Sequence, residues 1–157
     1  MPPTTADLLC DRRLGKLVGH RDISLAGCPA PQRFARAEVR TALTARASRE
    51  QVEEVILVTS ELVGNAVEHT DGPLALTLDI FEYGAAVGVV DCGTDVGAVP
   101  VLLPPLGICD EDEAPETLAL GGRGLLLVTH FTSALSVSAT TVGKIVLALF
   151  ILPRGDR

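Results

Sequence analysis

The sequence predicts an α+β domain, a two-layer sandwich in which a mainly antiparallel sheet carries helices on one face. Apolar residues recur at helical spacing in two successive segments and then at strand spacing in two hairpins. A long connection rich in glycine and proline separates the hairpins and ends in a third, apolar helix. This order of helix, helix, hairpin, loop, helix and hairpin is typical of a sheet covered by helices.

Composition restricts the class of protein before any motif is considered. The chain has 157 residues, of which 47% are hydrophobic and 21% charged, as expected for one globular domain. It contains no apolar run long enough to span a membrane and no signal peptide at its start. The net charge of −7 argues against direct nucleic-acid binding, which requires clustered cations.

The cysteines indicate a reducing compartment. No two of them form a C-x-x-C pair, so a zinc site is not expected. We interpret them as free thiols of a cytoplasmic protein. The four positions are Cys10, Cys28, Cys92 and Cys109.

The first half of the chain holds two predicted helices. Residues 1–22 lack periodicity and are expected to form a flexible tail or an edge strand, and Asp22–Ala26 alternates like a first strand. One helix is predicted over Pro31–Ala47. A second begins after Ser48, where a glutamine three residues later fits a capping box, and ends near His69.

The second half holds two predicted hairpins around the long connection. Each hairpin is indicated by alternating apolar residues on either side of a glycine-containing turn. The connection covers 92–120, a length that usually indicates a functional segment. The predicted strands are Leu74–Phe81, Ala85–Val90, Ala134–Ala139 and Lys144–Ile151, and the apolar helix is Leu125–Phe131.

Three groups of residues can carry chemistry. Glu61 and Asn65 lie four apart on the polar face of the second helix, where a carboxylate could accept a proton and an amide oxygen could bind Mg²⁺. Asp91, at a strand end, could accept a hydrogen bond from an adenine amine, and Gly93 would let the ring approach. A solvated helix face and an ordinary turn are the alternatives.

The third group is Gly121-Gly122-Arg123-Gly124, which opens the apolar helix. Backbone amides at a helix N-terminus bind anions, because the N–H groups and the helix dipole both point at the charge. The segment fits neither a P-loop nor a dinucleotide-binding fingerprint. A flexible hinge is the alternative interpretation.

The order of these groups resembles the GHKL ATPases, the superfamily of gyrase, heat-shock chaperone, histidine kinase and mismatch-repair ATPases. The segment 61–69 is similar to the N box, 89–93 to the first glycine box and 122–125 to the second. The stand-alone branch of anti-sigma-factor serine/threonine kinases resembles the chain most. The resemblance implies an ATPase domain over 23–152, with a lid at about 95–121, followed by a short tail at 153–157.

The resemblance implies a role for each matched residue. Glu61 would be the general base and Asn65 the Mg²⁺ ligand, while Asp91 would bind adenine. His69 matches a histidine that often ends the N box, and it equally suits a helix C-terminus, where a cation is favourable. The remaining residues expected to contact ATP are Gly93, Gly122, Arg123, Gly124 and Leu125.

Two positions depart from the family pattern. Asp95 stands where the first glycine box usually has its second glycine, which predicts a negative charge near the phosphates. Relatives often carry Gly-Lys-Thr before the last strand, where this chain has Gly143-Lys144-Ile145. Ile145 lacks the threonine hydroxyl that helps to bind adenine, and Thr140 or Thr141 could replace it. Both departures argue against tight nucleotide binding.

The resemblance therefore implies an ATP- and Mg²⁺-dependent protein kinase. Its expected partners are a sigma factor and an anti-sigma antagonist of the STAS type, and a homodimer remains open. The alternative is a partner-binding module of the same fold that does not transfer phosphate. Glu61 favours the kinase, whereas Asp95 and Ile145 favour the alternative.

Overall fold

The fold was examined in a computed structural model that describes residues 5–70, 72–93, 128, 130–140 and 143–152. The expected lid, the second glycine box and the start of the apolar helix lie outside these ranges. Residues 128, 130 and 131 are helical. The helices are α1 (Thr5–Leu9), a short 3₁₀ helix (Arg12–Leu14), α2 (Pro31–Leu43) and α3 (Arg49–His69); the strands are β1 (Leu17–Ser24), β2 (Pro73–Phe81), β3 (Gly84–Asp91), β4 (Ala134–Ala139) and β5 (Lys144–Ile151).

The strands form one sheet in the order β1-β2-β3-β5-β4, and every neighbouring pair is antiparallel. The α+β class predicted from the sequence is confirmed. Pairing of β3 with β5 joins segments that lie about fifty residues apart in the sequence. This pairing sets Asp91 directly opposite Lys144.

Helices α2 and α3 pack together and cover one face of the sheet. Alternate residues of each strand point into the core beneath them, as the two-residue period of a strand requires. On α3 the buried residues recur at helical spacing, as expected for a helix that packs on a sheet. The core residues of the three central strands are Leu76, Leu78, Ile80, Ala85, Val87, Val89, Val146, Ala148 and Phe150.

Helix α3 begins as its sequence predicts. The hydroxyl of Ser48 accepts a hydrogen bond from the Gln51 N–H at 3.1 Å, and the Gln51 side chain accepts one from the Ser48 N–H at 3.0 Å. This reciprocal capping box satisfies two backbone donors that the helix itself cannot satisfy. It fixes the start of α3, and therefore which side chains lie along each face.

The N-terminal segment packs on the opposite face of the sheet, which the sequence did not predict. Leu8 of α1 and Leu14 of the 3₁₀ helix are buried against outward-facing strand residues. Gly84 permits this contact, because a Cβ there would come within 2.4 Å of both Leu14 and the Phe150 carbonyl. The strand residues in this second cluster are Phe81, Ala86, Leu147 and Leu149.

Two predicted boundaries were wrong. Strand β1 begins at Leu17, five residues before Asp22, because pairing with β2 fixes it although most of its side chains are exposed. Helix α2 ends at Leu43 and not at Ala47. The Thr44 hydroxyl and N–H both bond to the Arg40 carbonyl, and the chain then tightens into a turn.

Two further observations concern the described residues alone. None of their helices is both long enough and apolar enough to cross a membrane. Cys10, Cys28 and Cys92 are free thiols, and Cys109 lies outside the described ranges.

Candidate functional site

Glu61 and Asn65 lie one turn apart on α3, and both side chains are partly buried. Within the part of the chain that the structure describes, neither side chain forms a hydrogen bond or an ion pair. Neighbours on the same helix include the buried Leu62 and Val63, which face the core. A carboxylate and an amide oxygen are therefore held one helical turn apart at the edge of the core, two groups that can serve as a proton acceptor and a cation ligand.

The start of α2 borders this face of α3. Gln32 donates a hydrogen bond to the Ser60 carbonyl at 3.0 Å, and Arg36 donates one to the Ser60 hydroxyl at 2.9 Å. A Cβ at Gly64 would come within 2.6 Å of the Gln32 amide nitrogen, so a larger residue would displace Gln32. Gln32 and Arg36 are polar neighbours of the Glu61 face that sequence reasoning missed.

Asp91 is the last residue of β3 and is almost completely buried, with 2% of its surface exposed. Its Oδ1 accepts a hydrogen bond from the Gly93 N–H at 2.7 Å, which closes a tight turn. The turn fixes the carboxylate at the strand end. An acceptor that is fixed and shielded from water in this way can distinguish hydrogen-bond donors on a ligand.

Lys144, the first residue of β5, lies beside this carboxylate. Its Nζ is 3.5 Å from the Asp91 Oδ1, and its side chain is 6% exposed. Lys144 has the same strand parity as the core residues Val146 and Ala148, so its side chain lies on the helix-covered face. Sequence reasoning assigned it no role, although a lysine at a core-facing position was a usable signal.

Three side chains fill the space where Gly93 would carry a Cβ. A Cβ there would lie 2.6 Å from the Lys144 Nζ, 2.9 Å from the Asp91 Oδ1 and 2.9 Å from the Thr70 Cγ2. Thr70 caps the C-terminus of α3, and its hydroxyl bonds to the Ala66 carbonyl at 2.6 Å. Gly93 therefore joins the end of α3 to the ends of β3 and β5.

The structure corrects the expectation for Ile145. That residue pairs with Val90 and shares the outer face of the sheet with Thr77 and Leu147, away from Asp91. A hydroxyl at this position could not reach the Asp91 site. The residue beside Asp91 is Lys144, one position earlier, which matches the lysine of the family pattern.

Gly143 connects the same strands through their backbones. A Cβ on it would lie only 1.9 Å from the Asp91 carbonyl oxygen, so only glycine fits this approach. Its N–H donates to the Thr140 hydroxyl at 3.0 Å, and its carbonyl accepts from the Thr140 N–H at 2.9 Å. Thr140 is thus part of the turn before β5; Thr141, the other predicted substitute hydroxyl, lies outside the described residues.

The predicted site residues fall into two groups. Asp91 and Gly93 are brought together, with Lys144 and with Thr70 at the end of the helix that carries Glu61 and Asn65. His69 ends α3, but the structure does not describe its side chain. The others lie outside the described residues, and the predictions for them stand as predictions: Asp95, Gly122, Arg123, Gly124 and Leu125.

The fold and the polar helix face beside a glycine turn define a class of ATPase-like domains. A family model of the histidine kinase-like ATPase domain matches residues 29–150. The chain belongs to this family. Membership implies an ATP-binding domain of regulatory function. No curated protein matches the chain.

The described residues include groups that could bind ATP and Mg²⁺. Asp91 offers a buried acceptor, and Gly93 beside it has no side chain, but the Lys144 ammonium lies against that glycine and would have to move for a planar base to contact it. Among the described residues no cluster of three or more His, Cys, Asp or Glu could bind a metal ion. Mg²⁺ often takes only one or two protein ligands and completes its shell with phosphates and water, so Asn65 suits it.

Proposed function

We propose that this protein binds ATP with Mg²⁺ and acts as a regulatory serine/threonine kinase of the anti-sigma-factor type. The observation that carries the proposal is the placement of Glu61 and Asn65 on the helix whose C-terminus packs against Gly93 and Asp91. Helix α3 then carries the proton acceptor and the expected Mg²⁺ ligand, and it ends beside Asp91 and Gly93, which are expected to bind the base. Bound ATP·Mg²⁺ would supply the phosphoryl group and neutralise its charge.

Each described residue has a defined task in this proposal. Glu61 would accept the proton of a serine hydroxyl, since a partly buried carboxylate within reach of the hydroxyl can act as a general base. Asn65 would hold the cation through a neutral oxygen, which leaves the Glu61 charge free. Asp91 would orient the base by accepting from its exocyclic amine. The protein partners proposed on the resemblance are a sigma factor and a STAS-type antagonist.

The experiment is phosphoryl transfer from γ-labelled ATP·Mg²⁺ to proteins in a soluble extract of the native host. A labelled serine or threonine that appears with the wild type and is lost with Glu61→Gln is the expected result. The Glu54→Gln variant is a matched control, because Glu54 lies earlier on α3 and outside the site. Binding of ATP without any transfer that depends on Glu61 would contradict the kinase.

A second candidate is a partner-binding module that does not transfer phosphate. The observation that favours it is the buried Lys144 beside Asp91, which uses part of the acceptor needed by the base. This candidate predicts partner binding that does not change with ATP·Mg²⁺. Capture of the same partner from the host extract with and without ATP·Mg²⁺ separates the two candidates.

A further inference from the structure

Lys144 has no task in the proposed phosphoryl transfer, yet it is buried at the base-binding end of the site. Its side chain is 6% exposed and that of Asp91 is 3% exposed. Lysine is rarely buried without a strong reason, because transfer of its ammonium from water is costly. The ion pair with Asp91 offsets this cost and fixes where the ammonium lies.

The ammonium occupies the space that a base would use. It lies only 2.6 Å from the position of a Cβ on Gly93, so it rests directly against the glycine. That glycine is the one surface of the Asp91 turn that lacks a side chain. A planar ring and the Lys144 ammonium cannot both contact it.

The ammonium also competes for the acceptor. Oδ1 of Asp91 already accepts from the Gly93 N–H at 2.7 Å and faces the Lys144 Nζ at 3.5 Å. An exocyclic amine of a base would have to share the carboxylate with a full positive charge. A charged donor holds a carboxylate more strongly than a neutral amine does.

We propose that Lys144 is an internal occupant of the base pocket, whose ammonium rests on Gly93 and pairs with Asp91 until a purine displaces it. The inference rests on the proposed function, because it assumes that ATP binds at Asp91. Lysine suits the role, since its flexible four-carbon stem can withdraw without movement of the strand. The apparent affinity for ATP is then lowered by the fraction of molecules in which Lys144 occupies the pocket.

In the opposite role, Lys144 would donate a hydrogen bond to the bound base beside Asp91 and would strengthen binding. In that case removal of the ammonium would weaken binding, whereas removal of an internal occupant strengthens it. Lys144→Thr separates the two roles, because threonine removes the ammonium that lies nearest to Gly93 and keeps a small polar side chain at the position. Lys16→Thr is the matched control, since Lys16 is exposed and these are the two lysines of the chain.

The test is calorimetric titration of the wild type and both variants with adenosine and with ATP·Mg²⁺. Lys144→Thr should bind both ligands at least about tenfold more tightly than the wild type, because the effect acts on the base alone. Lys16→Thr should match the wild type. Equal or weaker binding of adenosine by a folded Lys144→Thr variant, beside measurable binding by the wild type, overturns the inference and leaves the proposed function standing. No binding of either ligand by any of the proteins overturns both.

A measurement on the wild type needs no folded variant. Acetylation with limiting reagent, followed by mass spectrometry, compares the two lysines within one molecule. Lys144 should react at least about tenfold more slowly than Lys16 in the protein without nucleotide, since its ammonium is shielded and paired. Equal reaction rates would show that Lys144 does not occupy the pocket and would overturn the inference.

Discussion

The Lys144 ammonium and the Asp91 carboxylate form a buried ion pair, 3.5 Å apart, where strand β3 ends and the neighbouring strand β5 begins. A pair of this kind makes each partner dependent on the other. Removal of one charge leaves the second without compensation in a site that excludes water. A change to either residue is therefore expected to alter both the stability of the fold and the binding of a base at the proposed pocket.

Asp91→Asn should destabilise the fold as well as weaken ATP binding. The variant leaves the Lys144 ammonium buried without an anion, and such a loss typically costs about 3–5 kcal/mol. Urea unfolding of the wild type and the variant measures the difference.

The double variant Asp91→Asn, Lys144→Met is the control for this prediction. Methionine has a similar length and no charge, so the double variant should recover most of the lost stability. Equal stability of the single and double variants would contradict a buried ion pair at this position.

Glu61→Gln should bind ATP·Mg²⁺ with nearly wild-type affinity and transfer phosphate at least about 100-fold more slowly. The amide preserves the shape of the side chain but cannot accept a proton, and general-base catalysis is usually worth a factor of about 10²–10⁴. Calorimetry measures the affinity, and single-turnover transfer to an identified acceptor measures the rate. A variant that transfers phosphate at the wild-type rate would exclude Glu61 as the base.

Gly143→Ala should destabilise the protein by about 1–3 kcal/mol and weaken nucleotide binding. The added Cβ would meet the Asp91 carbonyl oxygen, so the backbone that presents the carboxylate would have to shift. Gly19→Ala in β1 is the matched control, since its Cβ would lie 3.6 Å from the nearest Ile80 atom, an ordinary contact. Thermal unfolding that places the two variants at the same midpoint would refute the close approach.

Stability should fall as the pH rises through the pKa of His20. Hydrogen bonds to Asp79 at 2.5 Å and to Asp22 at 2.9 Å raise the pKa of His20 above its ordinary value. A histidine with a raised folded pKa contributes its full stability below the unfolded value, about 6.5, and loses it as the pH passes the folded value.

This contribution to stability should be small. Because 47% of the His20 side chain is exposed, we expect about 1 kcal/mol or less. Urea unfolding at pH 6 and pH 9, with His20→Gln as the control, measures it. The wild type should lose more stability than the variant over this interval. An equal loss in both would show that His20 does not link the edge strand to β2.

Local sequence patterns predict most of the helices and strands. The remaining features depend on pairing and packing between segments that are distant in the sequence. Strands β4 and β5 and the capping box of Ser48 follow from the sequence because alternation and capping are local. Segments α1 and Arg12–Leu14 were missed because they are too short to show a period. Leu14 is buried by outward-facing residues of the sheet, so its burial depends on the sheet being formed and cannot be predicted from the local sequence.

The candidate site divides in the same way. Glu61 and Asn65 could be identified because helical spacing sets them side by side. Lys144 could not be identified as a site residue from the sequence, since its position beside Asp91 depends on the pairing of β3 with β5 across the long connection. Strand parity alone would have assigned Lys144 to the inner face and Ile145 to the outer face.

In the proposed function, Asp91 accepts a hydrogen bond from the adenine amine of ATP. Titration of the wild type with ATP·Mg²⁺ and with inosine triphosphate·Mg²⁺ tests it directly, because inosine carries a carbonyl oxygen where adenine carries the amine. A buried contact that lacks its donor costs about 1–3 kcal/mol, so ATP should bind roughly 5- to 150-fold more tightly. Equal affinity would contradict the assignment of Asp91. Tighter binding of inosine triphosphate would also contradict it and would indicate that Lys144 donates a hydrogen bond to the base.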